Sequence, residues 1–377
     1  MDYEHGASMN STKPRIAIVP DWLNQRGGAE RVAAVLHTMF PDAPIYTSIM
    51  DPDELWPELI GADIRTSWMQ KLPGLKKHFK KYLMLYPKVF ESLDLSDYDI
   101  VISISSAFSK GVKTRKGSIH ICYCCTPMRF VWDYDSYVKR ERFGKVIRLA
   151  LPFFISLLKK WDIETINRPH EYVAISSVVA NRIKQYYGKE ASIIFPPVNV
   201  DRFLCDNPDG DYYLVVSRLN PYKRIDLAVS AFNELGLPLV IAGDGHDRPI
   251  LEAMAKSNIH FTGRITDEQL KQYYGSCRAL IFTGMEDFGI IPLEANAAGR
   301  PVIAYKAGGV LDTIVEGVNG VFFSSQTPDS IIDAVHRQQH ISWYKQKIQA
   351  HASKFSVSNF KREFIEFVEK VTQRKIY

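Results

Sequence analysis

The stretch "GMEDFGIIPLEANAAGRP", residues 284–301, carries two glutamates eight positions apart, Glu286 and Glu294. The apolar run 279–283 stops at Gly284, which reads as a strand end, a tight loop and a helix whose first turn takes Pro292. This reading puts Glu294 in the first helical turn, where the helix dipole and unpaired amides favour an acid whatever its function. Glu286 has no such structural reason. It precedes a glycine-bearing loop, Asp287-Phe288-Gly289-Ile290, whose amides are free to face a cleft beside the carboxylate. A carboxylate next to free amides suits a polyol that carries a phosphate.

The counter-charge for such a ligand stands in "SRLNPYKRID", residues 217–226, which places Arg218 and Lys223 at the mouth of a strand-to-helix loop. Arginine offers a planar fork and lysine a compact charge, and each charge-assisted bond to a pyrophosphate contributes about 1.5–3 kcal/mol. Two solvated surface cations would look the same in sequence, and Arg224 is the neighbour most easily mistaken for one of the pair. Gly243 and Gly245 in "IAGDGHDR", and Gly263 with Arg264 in "FTGRITDEQL", also follow apolar runs. Each glycine pattern is weak alone. Several at strand ends of one domain, with the two glutamates, imply a nucleotide-diphosphate site.

The elements that must position these groups read as two successive α/β series. The first opens with a strand at 15–21, a loop Gln25-Arg26-Gly27-Gly28-Ala29 and a helix with Val32, Val35, Leu36 and Met39 on one face. Further strands are expected at 99–104, 119–124, 172–175 and 192–195, nearly apolar throughout as buried parallel strands are. Pro196-Pro197 and the polar segment 206–211 interrupt the pattern. A second series then runs through strands at 212–216, 238–242, 259–262, 279–282 and 301–304. Two doubly wound domains would face each other across a cleft, with ligands where the strand carboxyl ends meet. The last segment reads as helical, with Phe360, Phe364, Phe367 and Val371 on one side.

With 377 residues, 46% hydrophobic and 24% charged, the chain is long enough for two ordinary domains. A formal charge of +5 is mild, and no basic block resembles a nucleic-acid module, so nucleic acid is not expected as a partner. Five cysteines, three of them crowded at 122–125, argue for a reducing compartment; their spacing is not a zinc pattern, and no metal site is expected. Residues 1–14 read as a flexible extension without the apolar segment of a signal peptide. No apolar run approaches the roughly 20 residues needed to span a bilayer. The longest, 149–158, is flanked by Arg148 and by Lys159-Lys160 and suits either a surface or a core. Residues 65–88 carry seven lysines and arginines and no acid, interleaved with Trp68, Leu72, Leu75, Phe79, Leu83 and Tyr86. Lys76, Lys77, Lys80 and Lys81 are therefore expected to face an anionic membrane, although a basic face over core residues would give the same pattern.

Three motifs together, "RGGAERV", "SRLNPYKRIDLAVSAF" and "GMEDFGIIPLEANAAGRPVIAYKAGGVLDTI", resemble the retaining GT-B glycosyltransferases of family four, whose hallmark is E-x7-E. The resemblance runs from Arg15 to about Phe367. The segment "CYCCTPMRFVWDY" further looks like bacterial mannosyltransferases that build surface polysaccharide on a polyprenyl carrier. The resemblance implies a GT-B fold: residues 15–197 as the acceptor domain, 198–355 as the nucleotide-sugar domain, and a final helix, about 356–377, crossing back to the first. It implies that Arg218 and Lys223 hold the donor diphosphate, Glu294 the ribose, and Glu286 with the amides of Phe288, Gly289 and Ile290 the hexose. Backbone at Arg264 and Ile265 would meet the base, and Gly28 would let the first domain approach the donor. Cys125, Arg129 and Asp133 are candidates for the acceptor or sugar site. The implied donor is a nucleotide sugar, GDP-mannose first; the implied acceptor is a polyprenyl diphosphate-linked glycan; no cofactor or metal is implied. The expected location is the cytoplasm, peripheral on the inner face of the cell membrane.

One departure matters. The position of Cys125 in "YCCTP" is commonly histidine in such relatives, and a thiol replaces neither an imidazolium nor a directed imidazole donor. His120 lies five residues earlier and by alternation points elsewhere. Rival readings are an epimerase or hydrolase of nucleotide sugars on the same scaffold, a nucleotide-sugar-binding protein with weakened catalysis, and a metal-dependent transferase using a D-x-D pair, for which Asp97/Asp99 and Asp133/Asp135 fit the letters.

Overall fold

The computed structural model describes residues 13–75, 79–133, 145–208 and 210–376. Residues 1–12, Lys76, Lys77 and Asp135 lie outside this set. Two all-parallel sheets organise the rest. The first has seven strands in the order β3-β2-β1-β4-β5-β6-β7: β1 Ile16–Pro20, β2 Ile45–Thr47, β3 Ile64–Thr66, β4 Ile100–Ser105, β5 Ile119–Cys124, β6 Glu171–Ala174 and β7 Ser192–Ile193. The second has six in the order β10-β9-β8-β11-β12-β13: β8 Tyr213–Val216, β9 Leu239–Ala242, β10 Ile259–Gly263, β11 Leu280–Phe282, β12 Val302–Tyr305 and β13 Gly320–Phe323. These are the two Rossmann-like domains that the GT-B resemblance implies.

Central strands are apolar because helices cover both faces of each sheet. Every residue of β1 and β4 is buried, and Ile18 sits beside Ile102, which in turn pairs with Ile121 of β5. The helix Gly28–Met39 buries Val32, Val35, Leu36 and Met39 against this sheet. Strands β2, β3 and β13 are additional to those read from the sequence; β2 and β3 are three residues long, too short to show an alternation.

Both sheets reverse their strand order at one place, and that is where a doubly wound fold opens a crevice. In the first sheet the reversal lies between β1 and β4, in the second between β8 and β11. The loops leaving β8 and β11 contain Arg218 and Lys223, and Glu286, respectively. Topology alone thus brings together groups more than sixty positions apart.

The chain leaves the first domain at Val198, whose N–H donates to the Phe355 carbonyl at 2.9 Å, so the outgoing and returning strands of chain run side by side. Gly210, from the segment read in sequence as part of the interruption, packs on the second domain, its N–H donating to the Ser276 carbonyl at 2.7 Å. The final helix, Val357–Thr372, lies on the first domain, with Phe360 and Phe364 at 5.9 and 6.1 Å from the Tyr123 ring. Its buried stripe is Phe360, Phe364 and Val368, while Phe367 and Val371 flank it.

The basic stretch 65–88 differs from the membrane-facing reading. Leu75 and Tyr86 are buried, and Leu72, Phe79 and Leu83 pack against the same first-domain cluster. Phe79 meets Trp22 at 5.8 Å between ring centroids. The apolar residues between the lysines therefore fill core space, and Trp68 alone of those named stands 43% exposed. Lys81 is exposed.

Candidate active site

A cavity of about 1070 Å³ lies between the domains, and both reversal points open into it. On the second-domain wall, Lys223 ends the short turn Pro221–Lys223, and its ammonium forms an ion pair with Glu286. Two contacts set that geometry. Thr283 Oγ1 donates to the Lys223 carbonyl at 2.7 Å, and Gly309 N–H donates to the Glu286 carbonyl at 2.9 Å. Gly309 is required there, since a Cβ would strike the backbone of Asp287 and Phe288. Arg218 is exposed on the same wall and has no ionic partner among the described residues. Arg26, on the first-domain wall, is likewise without an ion pair among the described residues and donates to the Leu55 carbonyl.

Gly289, at φ 91°, turns the loop in the left-handed region and starts the helix Ile290–Ala297. Phe288, Gly289 and Ile290 line the cavity with Glu286 and Glu294. The helix begins early enough that Glu294 falls in its second turn, not the first, so the dipole argument does not explain this acid. What holds it is Tyr274, whose hydroxyl donates to Oε2 at 2.9 Å. Desolvation pushes the Glu294 carboxyl up to about 7, against the opposing pull of that hydrogen bond and of Arg202.

Arg264 and Ile265 are outside the cavity lining: Arg264 is exposed and Ile265 packs on the core. From that loop Asp267 reaches the cavity instead, ion-paired with Arg202 from the first turn after the domain crossing. Neither residue stood out in the sequence.

The first-domain wall carries Gly28, Cys125 and Arg129, and also Asp21, which the sequence did not single out. Asp21 ends β1 in "VPDW" and accepts hydrogen bonds from four consecutive amides, Ser106 to Ser109, at 2.6–2.9 Å. The carboxylate thereby fixes the loop after β4 at the mouth of the cleft. Cys125 follows β5, its N–H donating to the Ser105 carbonyl at 2.8 Å. Burial pushes its thiol well above the usual range, with the nearby Asp21 charge adding to the effect, so it stays neutral. His120 does not compensate. It is buried within β5 with Nε2 at 2.8 Å from Ser103 Oγ, its pKa driven down to about 3 by desolvation. Among the described residues no histidine lines the cavity.

Arg129 and the unanticipated Arg182, both first-domain residues, converge on Asp287 of the second. A second tie, Ser177 N–H to Asp312 Oδ2 at 2.8 Å, also joins the domains. Asp133 is exposed and outside the lining. Asp97 and Asp99 are engaged by Arg15, with Arg115 also on Asp99, far from the cavity wall. No three His, Cys, Asp or Glu side chains converge as a metal site among the described residues.

The second domain carries the sequence likeness to known proteins. Residues 203–353 match the family model "Glycosyl transferases group 1". The GDP-mannose-dependent alpha-mannosyltransferase of Mycobacterium tuberculosis (strain CDC 1551 / Oshkosh) is 34% identical over 140 residues, 35% of this chain and 37% of that protein. An uncharacterized glycosyltransferase of Methanocaldococcus jannaschii is 33% identical over 150 residues, 37% of this chain and 38% of that protein. The matched part thus spans well under half the length of these curated relatives. Over the whole fold, sucrose-phosphate synthase from Thermosynechococcus elongatus superposes with a TM-score of 0.71 at 14% identity, covering 95% of this chain and 99% of that one. Anabaena HepE in complex with UDP and glucose gives 0.70 at 16% identity, covering 94% and 99%. The glycosyltransferase group 1 match contains Lys223, Glu286 and Glu294, and the fold shared with these structures is GT-B.

Proposed function

We propose that this chain is a retaining, metal-independent glycosyltransferase that moves mannose from GDP-mannose to a glycan carried on a polyprenyl diphosphate at the inner face of the cell membrane. One observation carries the reading: Arg218, Lys223, Glu286 and Glu294 meet on one wall of an interdomain cavity, at the reversal point of the sheet. The names of the curated relatives favour mannose and GDP.

In this reading Arg218 and Lys223 hold the donor diphosphate and stabilise the charge that grows on it as it leaves. Glu286 and the amides of Phe288, Gly289 and Ile290 orient the hexose, and Glu294 receives ribose hydroxyls. The acceptor oxygen bonds to the anomeric carbon on the face from which the phosphate oxygen departs. The bond between that carbon and the phosphate oxygen breaks, and the acceptor's proton passes to the departing oxygen. The first-domain wall, with Cys125 neutral, contributes position and exclusion of water, not proton transfer.

Incubation with labelled GDP-mannose and a polyprenyl-linked glycan tests this. An α-linked product formed equally well with EDTA present is the expected result. Free mannose would identify a hydrolase, an altered sugar an epimerase, and binding without turnover a weakened enzyme. Loss of activity restored by magnesium would remove the metal-independent part of the reading.

A further inference from the structure

The helix Lys145–Glu164 is the long apolar segment of the first domain, and it does not bury all of its apolar residues. Its inner face is pinned. Ile155 and Leu158 are buried, and Asp162 pairs with the buried Lys110 at 3.0 Å while accepting from Trp132 Nε1 at 2.7 Å. Its outer face shows Phe153 at 64% exposure, Phe154 at 41% and Leu157 at 43%, with exposed Lys160 about one turn on and exposed Lys159, whose ammonium also stands 4.5 Å from the centroid of the Trp132 ring. Phe153, Leu157, Lys160 and Glu164 recur at helical spacing, so apolar and basic groups share the outward surface with one acid at its end.

Four large side chains held out by an anchored helix, Ile163 at 48% exposure being the fourth, need an account. The apolar area they offer is on the order of a few hundred Å², short of the roughly 800 Å² per partner that a stable dimer buries. No helix among the described residues is long and apolar enough to cross a membrane. An element lying flat, with aromatic and aliphatic side chains beside lysines, has the composition of an interfacial helix. The position also fits. This helix packs on the short helix Arg129–Trp132, and Arg129 lines the cavity.

We infer that the outward face of Lys145–Glu164, through Phe153, Phe154 and Leu157 with Lys159 and Lys160, docks the protein on an anionic lipid bilayer and so presents the first-domain wall of the cleft to a lipid-borne acceptor. The inference rests on the reading of a lipid-linked acceptor given above. It moves the expected contact surface away from residues 65–88, whose apolar side chains other than Trp68 pack on the core. The apolar residues insert at the level of the headgroups, and the lysines supply the dependence on lipid charge and on salt.

Sedimentation with phosphatidylcholine vesicles, with and without phosphatidylglycerol, tests the surface. The full chain is expected to bind the phosphatidylglycerol vesicles, with high salt releasing most of it. F153E/F154E/L157E should reduce binding more than tenfold, and K159E/K160E about tenfold. K76E/K77E/K80E/K81E should reduce it less than either. Retained binding by F153E/F154E/L157E, or a chain that stays in the supernatant at low salt, overturns the inference. So does a wild-type dimer that this variant converts to a monomer. Turnover with a lipid-free glycan acceptor is measured in parallel. Normal turnover without vesicle binding sinks only the docking surface, whereas vesicle binding without turnover on any acceptor sinks the glycosyltransferase reading.

Discussion

The Tyr274 hydroxyl donates to Glu294 Oε2 at 2.9 Å, joining two helices beneath the cavity and holding a carboxyl whose pKa burial has raised from 4.5 to about 7. The native state therefore binds this proton more tightly than the unfolded chain does. Below pH 4.5 both states are protonated and the group contributes its full stabilising share. As pH rises to about 7 the native state must give up the proton or hold a poorly solvated charge, and stability falls. Glu294→Gln cannot titrate. Its melting temperature relative to wild type should rise between pH 5 and pH 8, by the equivalent of about 2 kcal/mol, less than the full shift because the cleft is open to water. A constant difference across that range would show that Glu294 is ordinarily ionised.

Lys223 and Glu286 are paired with side chains only 11% and 24% exposed. Removing one partner leaves the other charge poorly solvated, so Lys223→Ala and Glu286→Ala should each lower stability by about 1–3 kcal/mol without unfolding the chain. The double variant should be more stable than the sum of the singles implies. Each single variant should also lose transfer by about 100-fold or more, because a preorganised donor or acceptor at the leaving diphosphate and hexose is gone. Near-normal turnover in either would refute the donor-site assignment.

Asp287 receives Arg129 and Arg182 across the domain boundary, one residue from Glu286. This ties the first domain to the loop that carries Glu286. Asp287→Asn should weaken both bridges, increase the radius of gyration in solution scattering, and lower kcat about tenfold while the melting temperature of the second domain holds. An unchanged scattering profile with unchanged kcat would reduce the cluster to a surface ornament of the cleft.

The second-domain wall was legible in sequence because strand ends, glycines and charges are local. Arg218, Lys223 and Glu286 stand next to their own strands, and the reversal point of the sheet gathers them. The first-domain wall was less so. Asp21 is one letter in "VPDW", and its role comes from amides 85 to 88 positions away. Arg182 and Asp287 meet over 105 positions, which no periodicity reports. β13 starts at Gly320 and is held by Asn319, whose Nδ2 donates to Asn296 Oδ1 at 2.8 Å, a long-range polar cause with no alternation to announce it. Residues 65–88 mark the opposite limit. They have an interfacial composition, but composition does not say which way a side chain turns.

Cys125 lines the cavity where the family resemblance places a histidine, and its surroundings decide what an imidazole would do there. Burial and the charges of Asp21 and Glu30 keep the thiol protonated, so it offers no nucleophile. Those same acids would favour an imidazolium, which could donate to a ligand as a thiol cannot. The cavity is open at this point and Cys125 itself is only half-buried, so a larger ring has somewhere to go. Cys125→His should therefore keep the rate or raise it severalfold, with a new pH dependence in kcat/KM that the wild type lacks. Asp21→Asn in the same background should abolish that dependence. It should also lower stability, since four amides lose a charged acceptor. A sharp fall in rate for Cys125→His, with the fold intact by circular dichroism, would instead mean that this wall is shaped around a small thiol.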